Sequence, residues 1–173
     1  TARIDGGVEK AGLLVQQDSC SVYAFLQDNL ARRGVILTDL DTAVRDHPEL
    51  WREHFMTSAI PADDSKFAAL HGAFWSGGTL IYVPPGVEVS LPIHSLVYLS
   101  QPGLGLFSHT LIVADRGSSV TVLEEHFSLT QEGHALSVPL VEVLVKDGAQ
   151  VRYVNIQEWQ DNVYTLASHR VIA

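Results

Sequence analysis

Residues 73–98 read AFWSGGTLIYVPPGVEVSLPIHSLVY, and they contain the point at which a helical pattern gives way to a β pattern. An apolar helix end runs into Gly77 and Gly78, after which the hydrophobic pattern changes from a helical period to a period of two. Pro84-Pro85-Gly86 and Pro92 divide the remainder into short runs rich in β-branched residues. Runs of this kind, bounded by proline and glycine, are typical of β-strands joined by tight turns.

The pattern of this stretch returns twice at a constant interval. IYVPPGVEVSL at residues 81–91 aligns with IVADRGSSVTV at 112–122 and with VLVKDGAQVRY at 143–153. The glycines that mark the shared corner are 31 residues apart at each step: Gly86, Gly117 and Gly148. Glycine suits a corner because it adopts positive φ without steric cost. We expect the valine that follows each corner to point into the core, at positions 89, 120 and 151.

A repeat of strand, turn and strand indicates a solenoid, because one such unit cannot bury its apolar face whereas stacked units can. The sequence therefore predicts a mainly β protein. A right-handed parallel β-helix covers residues 77–173, and a small helical and hairpin capping segment covers residues 1–76. A closed antiparallel jelly roll is the alternative, since it also uses many short strands with glycine corners. The equal spacing favours the solenoid.

The capping segment combines a hairpin with helices. Apolar runs at 13–15 and 22–25 flank a polar turn and predict the hairpin. A helix over 65–75 is predicted to begin at the aspartates Asp63 and Asp64, which can cap it. Apolar residues recur in this helix at spacings of three and four, which predicts a side that faces the core. They are Phe67, Leu70, His71 and Phe74.

Composition and charge exclude several classes of protein. The 173 residues are 46% hydrophobic and 18% charged, which argues against disorder. A net charge of −9 argues against nucleic-acid binding, since phosphate contacts need a basic surface. The single cysteine, Cys20, excludes an internal disulfide, and no apolar run is long enough to span a membrane. We therefore expect a soluble, cytoplasmic protein that binds neither nucleic acid nor membrane.

Motifs of catalysis are missing from the sequence, so we expect no enzymatic activity and assign no catalytic residue. It contains no Walker loop and no G-x-S-x-G elbow. The eight histidines lack the local spacing of a metal site, and none is assigned as a metal ligand. Stacked coils can still bring distant residues together, and Glu124, His126 and His169 are the set to test. The alternative hypothesis is a small cupin-like metal-dependent enzyme that uses His94 and His109.

Several long segments resemble one family. FWSGGTLIYVPPGV at 74–87, TLIVADRGSSVTVLEE at 110–125, VEVLVKDGAQVRYVNIQEW at 141–159 and NVYTLASHRVIA at 162–173 are similar to the SufB/SufD family. GVILTDLDTAVRDHPEL and PADDSKFAALHGAFWSGG resemble the segment before the β-helix in the same family. The resemblance implies a scaffold component of the SUF iron–sulfur cluster assembly machinery. It also implies work with the SufC ATPase and a SufB- or SufD-type paralogue, with the cluster in the assembled complex.

The resemblance also points to individual residues. The Gln-x-Trp pair of the family is present, and a histidine beside arginine matches a basic position near the end. His126 stands where the SufB branch commonly has a cysteine, which favours a SufD-like or undivided SufB/SufD chain. It also argues against cluster building by this chain alone. The residues of possible functional importance are Gln157, Trp159, His126, Glu124, His169 and Arg170.

Length separates this chain from the usual members of that family. SufB and SufD chains are more than twice as long and continue into a helical region that binds the ATPase. Residues 171–172 form an apolar strand end. The resemblance thus implies either a piece of a longer protein or a short relative that covers an open β-helix end by pairing. In both cases we expect self-association through that end.

Overall fold

The computed structural model describes residues 9–129 and 132–173. Within these residues the strands are β1 Gly12–Gln17, β2 Cys20–Leu26, β3 Ile36–Asp39, β4 Gly78–Val83, β5 Ile93–Leu99, β6 Gly105–Leu106, β7 His109–Ala114, β8 Ser119–Ser128, β9 Ala135–Ser137, β10 Leu140–Val145, β11 Gln150–Glu158, β12 Val163–Thr165 and β13 Ser168–Ile172. The helices are α1 Asp28–Arg32, α2 Leu40–Asp46, α3 Pro48–His54 and α4 Lys66–Phe74.

The strands that follow α4 stack as the coils of a solenoid. Three sheets run along it, with strand orders β11-β8-β5-β1-β2, β13-β10-β7-β4-β3 and β12-β9-β6. Strands of successive coils pair in parallel, as β4 does with β7 and β7 with β10. The predicted parallel β-helix is therefore confirmed. The jelly-roll alternative is wrong, because a jelly roll is built from antiparallel strands.

Glycine forms the corner between the second and the first sheet in three coils. Gly86, Gly117 and Gly148 have φ values of 67°, 65° and 69°, in the left-handed region that residues with a Cβ rarely adopt. The corners stack directly, because the Gly86 N–H donates to the Arg116 carbonyl at 2.8 Å and the Gly117 N–H to the Asp147 carbonyl at 3.0 Å. Corners that are 31 residues apart in the sequence are therefore directly hydrogen-bonded neighbours in the fold.

The repeat does not hold through the whole coil. Val120 lies opposite Val151, as the alignment predicts. Ile93, however, lies opposite Val122, where the alignment predicts Leu91. The chain leaves the extended conformation around Pro92 before β5 begins, and a proline has no N–H to donate to a strand ladder. The alignment is therefore wrong from this point by two residues.

The capping segment contributes strands as well as helices. β1 pairs antiparallel with β2, which confirms the predicted hairpin, and pairs in parallel with β5. β3 pairs antiparallel with β4, so the edges of the first coil in two sheets are covered. Ser65, and not the predicted aspartates, caps α4 by accepting a hydrogen bond from the Ala68 N–H at 3.1 Å. The domain boundary at residue 76 stays a prediction.

Two apolar layers hold the fold together. Inside the solenoid, aliphatic side chains of successive coils stack, and they include the predicted inward valines Val89 and Val120. Outside it, Leu40 and Trp51 of the helices pack on the outer face of the second sheet. The predicted inner side of α4 is correct at His71, which is fully buried, and wrong at Phe74, which is 61% exposed. Over the described ranges, no helix is long and apolar enough to cross a membrane.

Candidate functional site

Polar side chains interrupt the apolar interior of the solenoid at one level. The strand register places Ser95, Glu124 and Asn155 in one column and Val97, His126 and Gln157 in the next. Alternate residues of a strand point to the same side of a sheet, so both columns face the interior. Residues that are about 30 positions apart in sequence are therefore neighbours in space. We call the polar residues around Glu124 the interior cluster.

Glu124 is the centre of the interior cluster, and its side chain has no exposed surface. The hydroxyls of Thr110, from the facing strand β7, and Tyr153, from β11, donate hydrogen bonds to its carboxylate. Burial opposes ionisation, but attraction by His126 and these hydrogen bonds outweigh it and hold the pKa of Glu124 below its ordinary value. Burial and the charge of Glu124 raise the pKa of Tyr153, which keeps the phenol a donor.

Side-chain hydrogen bonds continue from Glu124 along β11. The Asn155 amide donates to the Tyr153 hydroxyl at 3.3 Å. The Gln157 amide donates to Asn155 Oδ1 at 2.8 Å, and Trp159 Nε1 donates to Gln157 Oε1 at 3.2 Å. The spacing of two residues explains this series, since positions i and i+2 share one side of a strand. All donors point towards Glu124, so the series ends at a buried carboxylate.

His126 lies beside Glu124 and is 1% exposed. Its Nε2 is 3.6 Å from Glu124 Oε2, which is an ion-pair distance but too long for a hydrogen bond. Neither ring nitrogen has a hydrogen-bond partner within residues 9–129 and 132–173. The ring meets Trp159 edge-on, with centroids 5.7 Å apart. Buried polar groups are normally paired, so an unpaired imidazole marks this cluster as the candidate site.

His169 on β13 joins the cluster through Tyr153. The two rings meet edge-on with centroids 5.8 Å apart. Burial lowers the pKa of His169, and His126 adds to this effect while Glu124 opposes it. The structure thus brings together the set that the sequence singled out for testing, Glu124, His126 and His169. Their functional role stays a prediction.

The remaining sequence candidates lie elsewhere. Arg170 points to the outside, where its Nη1 donates to the Ala59 carbonyl at 2.8 Å and contacts Asp64. His94 lies on the outer face of the first sheet, and its Nε2 is 3.1 Å from Glu125 Oε1. His109 lies in the second sheet. The cupin-like alternative is therefore wrong, because its two histidines belong to different sheets of a solenoid and share no site.

Sequence reasoning missed Thr110, Tyr153 and Asn155. Tyr153 carried a signal, since it aligns with Leu91 and Val122 in the other repeats. A polar group at an apolar repeat position points to a polar interior. Thr110 carried no such signal, because its partner lies in another sheet. Only the cross-section of the coil brings the two together.

The interior cluster offers hydroxyl, amide, imidazole and carboxylate groups. No group of three or more His, Cys, Asp or Glu residues in the described part of the chain is arranged to hold a metal ion. Cys20 is exposed at the start of β2, three strands away from β8 in the first sheet. Iron–sulfur clusters are held mainly by thiolates. The interior cluster can therefore bind polar groups or protons, but it supplies no thiolate.

Two family descriptions match almost the whole chain. "SufBD protein N-terminal region" matches residues 14–94, and "SUF system FeS cluster assembly, SufBD core domain" matches residues 97–173. The second match contains Glu124 and its hydrogen-bond partners Thr110 and Tyr153. The two matches follow one another along the sequence with a gap of two positions.

Individual relatives agree with this assignment. An iron–sulfur cluster assembly SufBD family protein of Staphylococcus epidermidis is 41% identical over 160 residues, covering 92% of this chain and 34% of that protein. The SufBD family protein of Staphylococcus haemolyticus is 40% identical over 160 residues, with the same coverage of 92% and 34%. The iron–sulfur cluster assembly protein SufB of Bacillus subtilis is 37% identical over 162 residues, covering 94% of this chain and 35% of that protein. The chain spans about a third of the length of these relatives. The chain belongs to the SufBD family of the SUF iron–sulfur cluster assembly system.

Proposed function

We propose that this chain serves as a scaffold subunit of the SUF assembly machinery and is not an enzyme. It works with a SufC-type ATPase and a SufB- or SufD-type paralogue, and the iron–sulfur cluster is the cargo that the assembled complex builds. The observation that carries the proposal is the solenoid of parallel strands, which the two SufBD family descriptions cover between them. At one end of the described strands, β11, β12 and β13 stand last in their sheets and present edges and apolar side chains.

The side chains at this end support an interaction surface. Val171 is 62% exposed, whereas the matching positions of the two earlier coils, Val143 and Ile112, are buried. Tyr164 on β12 is 64% exposed as well. The free edge of a parallel strand offers N–H and C=O groups to another strand. Covering the edge and its apolar side chains removes both from water, which stabilises the contact. A further coil or another subunit of similar fold fits such an end.

The interior cluster supports a contact at the same end. β11 is the last strand of the first sheet, so its inward residues lie at the open end. Gln157 is exposed there and belongs to the hydrogen-bond series that leads to Glu124. A further coil or a partner that covers β11 completes the surroundings of Gln157. Cys20 is exposed at the start of β2, which lies three strands from β8 in the first sheet, so the interior cluster itself supplies no cysteine ligand to the proposed iron–sulfur cluster.

Co-purification tests the proposal. The complete natural reading frame, tagged and co-expressed with the SufC-type ATPase and the SufB/SufD-type paralogue of the same organism, should retain both proteins and yield bound iron and sulfide. Cys20→Ser should leave this cluster content unchanged, because the thiol is exposed on the hairpin. Loss of the cluster in Cys20→Ser, or purification of the chain without either partner, would contradict the scaffold role.

Metal analysis of the chain alone provides a second check. We expect less than stoichiometric iron, zinc or manganese after purification, since the described residues form no cation site. One tightly bound metal per chain that is lost in His126→Ala would overturn the proposal in favour of a metal centre.

A further inference from the structure

A second buried polar cluster lies on the other side of the second sheet, beneath the helices. It consists of His71 on α4, His109 on β7 and Glu142 on β10, and none of the three has exposed surface. His109 and Glu142 point away from the solenoid interior, because their neighbours Thr110 and Val141 point into it. The cluster therefore lies between the capping segment and the coils.

The three side chains form a continuous line of contacts. His71 Nδ1 is 2.9 Å from the Val138 carbonyl, and His71 Nε2 is 3.2 Å from His109 Nδ1. His109 Nε2 is 3.1 Å from Glu142 Oε2, in an ion-pair contact whose angle departs from that of a hydrogen bond. The line thus begins at a backbone acceptor and ends at a carboxylate.

Glu142 fastens the loop between α3 and α4. Its Oε2 accepts the Met56 N–H at 2.8 Å, and its Oε1 accepts the Ile60 N–H at 2.9 Å. Met56 has a φ of 49°, in the left-handed region that a side chain disfavours. Such backbone strain persists where the surroundings over-determine the conformation. Arg170 on β13 adds a second attachment through the Ala59 carbonyl.

Hydrogen-bond chemistry fixes how many protons this line can hold. The Val138 carbonyl can only accept, so His71 Nδ1 carries a proton. Each of the next two contacts, between His71 and His109 and between His109 and Glu142, needs one proton between its two atoms. Three protons supply one to each of the three contacts, of which the contact between His109 and Glu142 has ion-pair geometry, and the cluster then has no net charge whichever atoms hold them. This neutrality matters because the site is closed to water.

Any other number of protons breaks the line. A fourth proton sets N–H against N–H between His71 and His109 and leaves a positive charge in a buried site. The loss of one proton leaves two lone pairs facing each other. Burial, and then the charge of His109, lower the pKa of His71 to about 4, so the folded site resists the fourth proton. Burial also lowers the pKa of His109.

Other charged groups surround the cluster without replacing its members. Glu124 acts electrostatically on His109 from inside the solenoid, while Glu142 acts on His54 and Arg170. Glu53, Lys146 and Asp115 also interact electrostatically with His54, and Asp64 interacts with Arg170. The aromatic rings of Phe55 and Phe107 cover the histidines on the remaining sides.

We propose that His71, His109 and Glu142 form a proton-controlled latch that fastens α4 and the loop between α3 and α4 to the solenoid. The latch is closed with three protons. Uptake of a fourth proton below neutral pH separates His71 from His109, and the strained backbone at Met56 then relaxes and releases the Met56 and Ile60 amides. The coils remain folded, because the interior layer does not depend on the latch.

Amide hydrogen exchange as a function of pH tests the latch. Protection factors of the Met56 and Ile60 amides should fall between pH 6.5 and pH 4.5, by up to about tenfold per pH unit for one proton taken up. The Val89 amide, which donates to the Ser119 carbonyl in a solenoid corner, is the internal reference and should keep its protection. A joint fall of all three amides, or no change at Met56 and Ile60, would overturn the proposal.

Two variants make the test specific. His71→Gln removes one of the two titrating rings together with the contact at which the fourth proton is refused, so the pH dependence at Met56 and Ile60 should weaken clearly. The matched control is His134→Gln at an exposed position in the described chain, which should keep the full pH dependence. Equal behaviour of the two variants would contradict a role of His71. If His71→Gln does not fold, the pH series on the unaltered protein still decides between local release and no release.

Discussion

Thr110 and Glu124 face each other across the interior of the solenoid, and the threonine hydroxyl donates to the buried carboxylate. One coil earlier, Thr79 lies in register with Thr110, and Ser95 lies in register with Glu124. The hydroxyls of Thr79 and Ser95 are 2.9 Å apart. The fold therefore makes the same cross-sheet contact twice, once between neutral groups and once with a charge.

This pair of contacts predicts unequal costs for the same substitution. Thr110→Val removes a donor from a buried carboxylate, and we expect the free energy of unfolding to fall by about 2 to 3 kcal/mol. The matched control Thr79→Val removes a bond between neutral groups and should cost about 1 kcal/mol. Denaturant unfolding of both variants measures the difference. Equal losses of unfolding free energy in the two variants would show that the Thr110 hydroxyl does not stabilise the charged form of Glu124.

Gly117 predicts a backbone effect. No atom lies within 4 Å of a Cβ built at this corner, so space is available, but its φ of 65° strains any other residue. Gly117→Val should lower the free energy of unfolding by more than about 1 kcal/mol. Gly72→Ala in α4 is the control, since its φ is ordinary and its nearest neighbour is 3.5 Å away. The control should raise stability by about 0.5 kcal/mol. An unchanged free energy of unfolding in Gly117→Val would contradict the claim that the backbone at this corner requires glycine.

His71 predicts a loss of stability in acid. Its pKa in the folded protein is about 4, below the ordinary value near 6.5. The unfolded chain therefore binds more protons between these two values, so stability falls as the pH drops from 6.5 to 4, by up to about 3 kcal/mol. His71→Gln should flatten this dependence in chemical unfolding, and His134→Gln should not. If stability depended more steeply on pH in His71→Gln than in the unaltered protein, the direction assigned to the contribution of His71 would be wrong.

The exposed end of the solenoid predicts self-association of this chain. Val171 on the last strand is 62% exposed and should pair with another copy when no further coil covers it. Light scattering at high concentration should report species larger than a monomer. Val171→Lys should shift them towards the monomer, whereas Val22→Lys, on the edge strand of the first sheet at the opposite end, should not. A monomer at every concentration would refute the prediction.

The sequence predicted most strands, turns and helices, because their formation depends mainly on residues that are close together in the chain. The hairpin around Asp18, the corner at Gly117 and the buried side of α4 at His71 follow from turn chemistry and periodicity. The predictions were wrong where tertiary packing determines the structure. The chain bends around Pro92, so the register between β5 and β8 differs by two residues from the sequence alignment. Phe74 is exposed, although its spacing fits the inner side of α4.

The same distinction applies to the two polar clusters: contacts within one strand could be predicted, and contacts between distant elements could not. The spacing of two residues between Gln157 and Trp159 was visible in the sequence and predicts that both face one side, although β11 ends at Glu158 and Trp159 follows it directly. Nothing in the sequence joined Thr110 to Glu124 or His71 to His109, because these pairs come from elements that meet only when the coils stack.

The repeat, the glycine corners and the similarity to the SufBD family could all be recognised in the sequence, because residues at short or constant separation carry each of them. The polar groups that are buried together could not be recognised there, because they meet only in the folded coils. A coil has an inside and an outside, and the register between coils assigns Glu124 to the interior cluster and Glu142 to the latch beneath the helices. Burial then gives these two carboxylates their chemistry, since a charge removed from water must find its partners within the fold.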